Sequence, residues 1–340
     1  MSEGRSTVGV LCGCWGNDYG ESAFVMRSLA AAVSRIATVS VLVPGARTAV
    51  RPDGAFDLLS VGGVSGSDRR CGRWPEASAA TWPDTAPFAL ALTEVRDEGA
   101  IALVGACVPD VPVVRVLSCE ADGSNGAQGA SLSVGPGSAP ETGNGVGLHV
   151  PAHRLATARG HVGIGFTDYL LVLADRGPGA AATDRPTPLA AWLAARFAGR
   201  HVVVIENGLA TVWRSRSLRG VITVDTRTDL WRLLAHARLT VDLSPGPLIA
   251  RECVESLLYG VPVVVPADTA GARLAALGGG LWFRDEAELL GSVEALDDQA
   301  VRDTLGEQGR AEAARWYGDP GAFVRRVAGA LEPFGVGPGA

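Results

Sequence analysis

Two carboxylates, Glu252 and Glu255, stand three residues apart in a stretch of helical pattern, just after a loop of serine, proline and glycine at residues 244–247. Residues three apart share one flank of a helix, so both acids leave the same side. The loop delivers the helix N-terminus, whose free N–H groups and positive dipole end make a ready phosphate site. Ser244 and Gly246 lie in that loop and would bring backbone N–H groups to the ligand. Further along, Glu255 can accept two hydrogen bonds from a ribose diol, as acidic residues do in dinucleotide folds. Phosphate at the helix start and ribose beyond it is the chemistry of a bound nucleotide. On residue type alone, Glu255 reads first as a solvated flank residue, since charged residues on helix flanks usually are, while Ile249, Cys253 and Leu257 repeat every four positions and would face the core.

Other chemistries find less support. There is no Asp-x-Asp pair to hold a divalent ion on a diphosphate, and neither a Gly-x-Gly-x-x-Gly nor a P-loop follows the first apolar run. His149 and His153 stand four apart, but Pro151 between them interrupts the helix that would align them on a metal. The six cysteines are scattered, and only Cys12 and Cys14 are close, without a second pair to complete a metal site. No metal and no cofactor is expected.

The elements that must position the two acids follow an alternating plan. Short β-branched runs at residues 7–12, 39–43, 56–61, 88–92, 101–106 and 111–117 read as strands of one sheet, with a helix at 25–36 whose apolar positions Val25, Leu29, Val33 and Ile36 repeat near 3.6. A second series has strands at 169–174, 201–205, 221–224, 239–243 and 261–265 with helices at 189–197, 230–237 and 249–259, where Gly260 is a helix stop. Helices at about 300–316 and 320–331 close the chain. Strands alternating with helices make parallel sheets covered on both faces, so the fold class is α/β with two doubly wound, Rossmann-like domains facing a cleft. The Gly-rich stretch at 160–167 marks the boundary, giving domains 1–160 and 161–333 and a flexible tail, 334–340. Residues 65–87 and 121–145, rich in small residues, read as surface excursions, with an active-site lid as the alternative for the second.

Composition agrees with two globular domains. A chain of 340 residues exceeds what one core usually supports, and 47% hydrophobic against 19% charged residues is far from a disordered balance. The 30 basic residues, all arginine, face 36 acidic ones for a net charge of −6, and no dense basic stripe speaks for nucleic acid as a partner. No apolar run reaches membrane-spanning length, and residues 1–5 lead into a strand without a signal-peptide plan, so a cytoplasmic location is expected.

The run from Val254 to Val265 (VESLLYGVPVVV), followed by the small-residue turn ending at Gly271, resembles the donor-site block of family 4 retaining glycosyltransferases of the GT-B fold. There a Glu opens the run, Gly-x-Pro-Val-Val ends it and a small-residue turn follows. Gly20 and Glu21, opening the helix at 25–36, look like the family's first glycine loop, and Arg315-Trp-Tyr resembles its late Trp before the closing helix. The resemblance implies that Glu255 binds the donor ribose, that Gly271 lines the donor turn, and that Arg176, after the first strand of the second domain, steadies the diphosphate, with Arg185 in place of the family's Lys. Two positions depart from the family: Pro247 stands where it places the first of two glutamates, with Glu252 nearby, and Ser118 where it places a histidine. The expected function is metal-independent transfer of a sugar, with retention, from a nucleoside diphosphate sugar to an acceptor held by the N-terminal domain. The alternatives are a homologue that binds nucleotide or a protein partner without turnover, and a nucleotide-sugar epimerase.

Overall fold

The apolar runs pair into two separate sheets. The structure, a computed structural model, describes residues 6–13, 21–44, 50–53, 56–61, 74, 88–94, 97–117, 131–134, 145–146, 168–174, 188–206, 209–214, 217–223, 229–243 and 251–336. The chain divides into two compact units, Met1–His149 with Pro320–Ala340, and Val150–Asp319.

The first unit runs β1 (Thr7–Leu11), α1 (Glu21–Val33), β2 (Thr38–Pro44), β3 (Val50–Asp53), β4 (Phe56–Val61), β5 (Leu90–Glu94), α2 (Glu98–Cys107), β6 (Val113–Leu117), β7 (Ser131–Val134) and β8 (Gly145–Val146). Its sheet has the order β3-β4-β2-β1-β5-β6-β7-β8, parallel except for the β3–β4 pair. Alternation along β1 sends Val8 and Val10 to the α1 side, where Val25, Met26, Leu29 and Val33 meet them at helical spacing, and Leu11 to the opposite core with α2.

The second unit runs β9 (Tyr169–Leu173), α3 (Pro188–Arg196), β10 (His201–Glu206), β11 (Leu209–Arg214), β12 (Ser217–Thr223), α4 (Asp229–His236), β13 (Ala237–Asp242), α5 (Arg251–Leu258), β14 (Val263–Pro266), α6 (Ala270–Leu274), a π-helical turn (Ala275–Gly279), β15 (Gly280–Phe283), α7 (Glu286–Ala295) and α8 (Gln299–Ala313). The sheet order is β12-β11-β10-β9-β13-β14-β15, with only β10–β11 and β11–β12 antiparallel. Every residue of β9 is buried: Tyr169, Leu171 and Leu173 pack toward α4, and Leu170 and Val172 toward α3 and α7. A strand covered on both faces reads as a continuous apolar run, as this one does. The last helix, α9 (Pro320–Leu331), returns to the first unit, where Phe323, Val327 and Leu331 join the core built on α1.

Several elements differ from the sequence reading. Residues 101–106 are helical. The Asp97 carboxylate caps α2 by accepting from the Ala100 N–H, and Ala100, Leu103 and Val104 form its buried stripe, a spacing no strand produces. The segment 121–145 contains β7, and Trp74, within 65–87, is buried and donates through Nε1 to Asp97 Oδ2 at 2.6 Å. The rest of both segments, including the lid assignment, lies outside the described residues. The last helix packs with the first unit and not the second, because its apolar stripe completes the α1 face of that core. The start of the expected tail is also ordered: Val336 is buried in the same core after a 3-10 turn at Glu332–Phe334.

Candidate functional site

In the second sheet the chain leaves β9 toward β10 on one side and later returns to β13 on the other. The carboxyl ends of β9 and β13 therefore form a topological switch point, where open α/β sheets bind ligands. Leu173 and Asp242 are paired in register there. Asp242 is only 6% exposed and accepts from the Cys253 thiol of α5 at 3.4 Å. Two residues back, the hydroxyls of Thr240 and Ser256 meet at 2.6 Å, both fully buried. Two polar bridges thus fix α5 against β13 in rotation as well as position.

The consequence for the two acids is clear. Every residue of α5 from Glu252 to Leu258 is buried, with Glu255 at 0% and Glu252 at 5% exposure. This overturns the solvated-flank reading of Glu255: the helix has no solvated flank over that span. Carboxylates are almost never fully buried unless their charge is met by partners. The helix ends as its sequence indicates. Gly260 takes a φ of 78°, its N–H donates to Leu257 O at 2.8 Å and that of Val261 to Ser256 O at 2.9 Å, the two bonds of a Schellman cap.

Gly271 lies in the first turn of α6, after β14 and the Thr269 hydroxyl that donates to Pro266 O at 2.7 Å. A Cβ at Gly271 would sit 3.3 Å from Val265 Cβ, so the turn closes tightly against the strand end. The structure thus brings Glu252, Glu255 and Gly271 to the elements that follow β13 and β14. Ser244, Gly246, Arg176, Arg185, Gly20, Pro247 and Ser118 lie outside the described residues. Glu21 is the first residue of α1.

Three polar residues of this region were not singled out from the sequence: Thr240, Asp242 and Ser256. Their signal is a polar residue inside an apolar run, which the buried strand and the buried helix both contain. In the first unit, Thr93 is a further one. It is fully buried near the carboxyl end of β5, in register with Leu11 of β1, and its hydroxyl has no hydrogen-bond partner among the described residues.

No protein-family model matches the chain, and no curated protein matches its sequence. Solved structures do match its fold. Sucrose-phosphate synthase from Thermosynechococcus elongatus aligns over 97% of this chain and 100% of its own, with a TM-score of 0.63 at 11% identity. The chain has the GT-B fold. A second GT-B structure, Anabaena HepE in complex with UDP-glucose, aligns over 96% of this chain and 99% of its own with a TM-score of 0.57 at 13% identity. A Listeria monocytogenes protein assigned as a UDP-N-acetylglucosamine 2-epimerase also aligns, over 97% of each chain, with a TM-score of 0.52 at 13% identity. At such identities the likeness concerns the fold, and a fold hosts more than one chemistry. Among the described residues, no helix of this GT-B chain is long and apolar enough to cross a membrane.

Proposed function

We propose that this protein is a cytoplasmic, metal-independent glycosyltransferase that moves a sugar, with retention, from a nucleoside diphosphate sugar to an acceptor. The observation that carries this reading is the burial of Glu255 and Glu252 on α5, the helix that follows β13 at the switch point of an otherwise apolar sheet. Two acids held there by the Thr240–Ser256 and Asp242–Cys253 bridges are suited to ribose and sugar hydroxyls. The HepE complex with UDP-glucose supports a nucleotide-sugar donor on this fold.

In this reading the second unit holds the donor. The 244–250 loop and Arg176, with Arg185, receive the diphosphate, Glu255 the ribose, and Gly271 allows the donor turn to close. The first unit, with Gly20 and with Glu21 at the start of α1, holds the acceptor. No fixed protein nucleophile is required. The leaving diphosphate can take the proton of the incoming hydroxyl on the same face of the sugar, and the protein supplies orientation and electrostatics.

A second reading, nucleotide binding without turnover, draws on Pro247 and Ser118, which occupy positions where the resembled family has a Glu and a His. Loss of orientation alone costs roughly 100-fold in rate. Slow transfer is expected, because loop N–H groups and Glu252 remain available to the sugar. Product formation from a panel of nucleotide sugars with cell-extract acceptors separates the two: no product from a sample that binds nucleotide tightly would favour the non-catalytic reading.

A further inference from the structure

The amino ends of β9, β10 and β13 carry a charge cluster at the opposite end of the sheet from Asp242, and the nucleotide reading makes no use of it. It surrounds a cavity of about 210 Å³ lined by Asp168, Leu170, Gly199, Arg200, His201 and Arg238. All three nitrogens of the Arg238 guanidinium donate to carboxylates. Its Nε and Nη2 donate to the two carboxylate oxygens of Asp168 at 2.8 and 2.6 Å, and its Nη1 to Asp297 Oδ1 at 2.9 Å. Asp168 meets this fork from a left-handed conformation, φ 64°, which a short polar side chain tolerates.

Arg200 is not engaged to the same degree. Its Nη2 donates to Asp297, the one side-chain bond it makes among the described residues, and its buried Nε has no acceptor. A guanidinium carries five N–H donors, so most of those on Arg200, which lines the cavity, meet no acceptor among the described residues. Arg200, His201 and Arg238 line the cavity with Asp168, and Arg302 and Arg214 lie within electrostatic reach of Asp168 and His201. A phosphate group at neutral pH carries about −1.5 to −2, and a guanidinium fork matches its oxygens.

We propose that this cavity is a second ligand site, distinct from the nucleotide site, that binds a phosphate group, free or borne on a small metabolite, through Arg200. His201 lines the same cavity, so a bound dianion would favour its protonated form.

Thermal unfolding of the full chain tests this, with inorganic phosphate titrated against chloride at matched ionic strength, with and without saturating UDP. The expected result is a midpoint that rises with phosphate in both series, keeps rising in Glu255→Gln, and, with UDP saturating, becomes insensitive to phosphate in Arg200→Gln. Glucose 6-phosphate, titrated in parallel, distinguishes the sources: a stronger response than to phosphate assigns the site to a metabolite, and an equal one to the free ion. No phosphate response in the wild type, an equal response in Arg200→Gln, or a response that UDP abolishes would overturn the proposal. Should Arg200→Gln fail to fold, the wild type still decides by proton NMR. Phosphate should raise the titration midpoint of the histidine signal that is missing in His201→Gln, and an unmoved midpoint refutes the site.

Discussion

Thr240 Oγ1 and Ser256 Oγ lie 2.6 Å apart with both residues fully buried, and this contact joins β13 to the residue that follows Glu255. Removing one hydroxyl leaves the other buried without its partner. Ser256→Ala should therefore cost about 1–3 kcal/mol, the penalty for an unsatisfied buried polar group. Thr240→Val combined with Ser256→Ala removes both groups at similar shape and should lie closer to the wild type than the sum of the two single changes. Urea denaturation measures all four proteins. Additive losses would mean that the two hydroxyls do not act as a pair.

Much of this arrangement was legible in the sequence. The apolar runs that became β9, β10, β13 and β14 are buried on both faces and so declare themselves, and Gly260 marks the end of α5 by the conformation it must adopt. Residues 101–106 misled because an apolar run without alternation fits a buried strand or a buried helix. The deciding group, Asp97, sits outside the run and acts through its cap. Of the antiparallel pair, the sequence reading reaches β12 only at its end, at 221–224, and misses β11, whose six-residue run LATVWR is broken by Thr211 although Ala210, Thr211 and Val212 are buried. Glu255 is the instructive case at the site. Helical spacing puts it on a flank, but whether a flank meets water or protein is set by α8 and other elements distant in sequence.

That packing gives a second prediction. A Cβ on Gly306 of α8 would fall 2.2 Å from Gly260 O, the backbone of the α5 stop, and neither partner is a side chain that can swing away. Gly306→Ala should destabilise the protein by roughly 1–3 kcal/mol through overpacking, although alanine is the better helix former by about 1 kcal/mol. Gly291, in α7, has open space around its Cα, so Gly291→Ala should be neutral or stabilising. Opposite signs in thermal unfolding are expected. A tolerated Gly306→Ala would mean that α8 does not approach Gly260 so closely.

The charge cluster at the amino edge of the sheet predicts a pH dependence. The bonds from Arg238 hold the Asp168 carboxyl below its ordinary value. For Asp297, burial opposes ionisation, but the bonds from Arg200 and Arg238 outweigh it and its value is also lowered. A carboxylate lowered in the folded state stabilises the fold above its unfolded pKa, near 4, and loses that contribution as the pH falls through the folded value. The stability difference between wild type and Arg238→Gln should be largest near neutrality and shrink below about pH 4. An equal difference at pH 3 and pH 7 would deny that the carboxylates carry the effect.

The diphosphate reading of Arg176 is separable from folding by ligand choice. Arg176→Ala should weaken UDP binding far more than uridine binding, because only the former presents phosphate oxygens to a guanidinium. Equal losses for both ligands in calorimetry would assign the arginine to a role away from the diphosphate.

The last prediction concerns Glu255, which is fully buried on α5. Burial makes a plain loss of affinity ambiguous, since any change there can disturb the helix. Glu255→Gln keeps the shape of the side chain but replaces one acceptor oxygen by a donor and removes the charge. If the carboxylate accepts from the ribose diol, the substitution should weaken UDP binding by about 1–3 kcal/mol, the range for a charge-assisted hydrogen bond. It should also weaken UDP more than 2′-deoxy-UDP, because the deoxy ligand lacks one of the two hydroxyls the carboxylate would hold. Discrimination between the two ligands should therefore shrink in the variant. Damage to the helix would lower both affinities alike and leave their ratio unchanged. Calorimetric titration of wild type and Glu255→Gln with both ligands, at a temperature where denaturation shows each protein fully folded, decides between these outcomes. An unchanged ratio would remove Glu255 from the ribose site even if affinity fell.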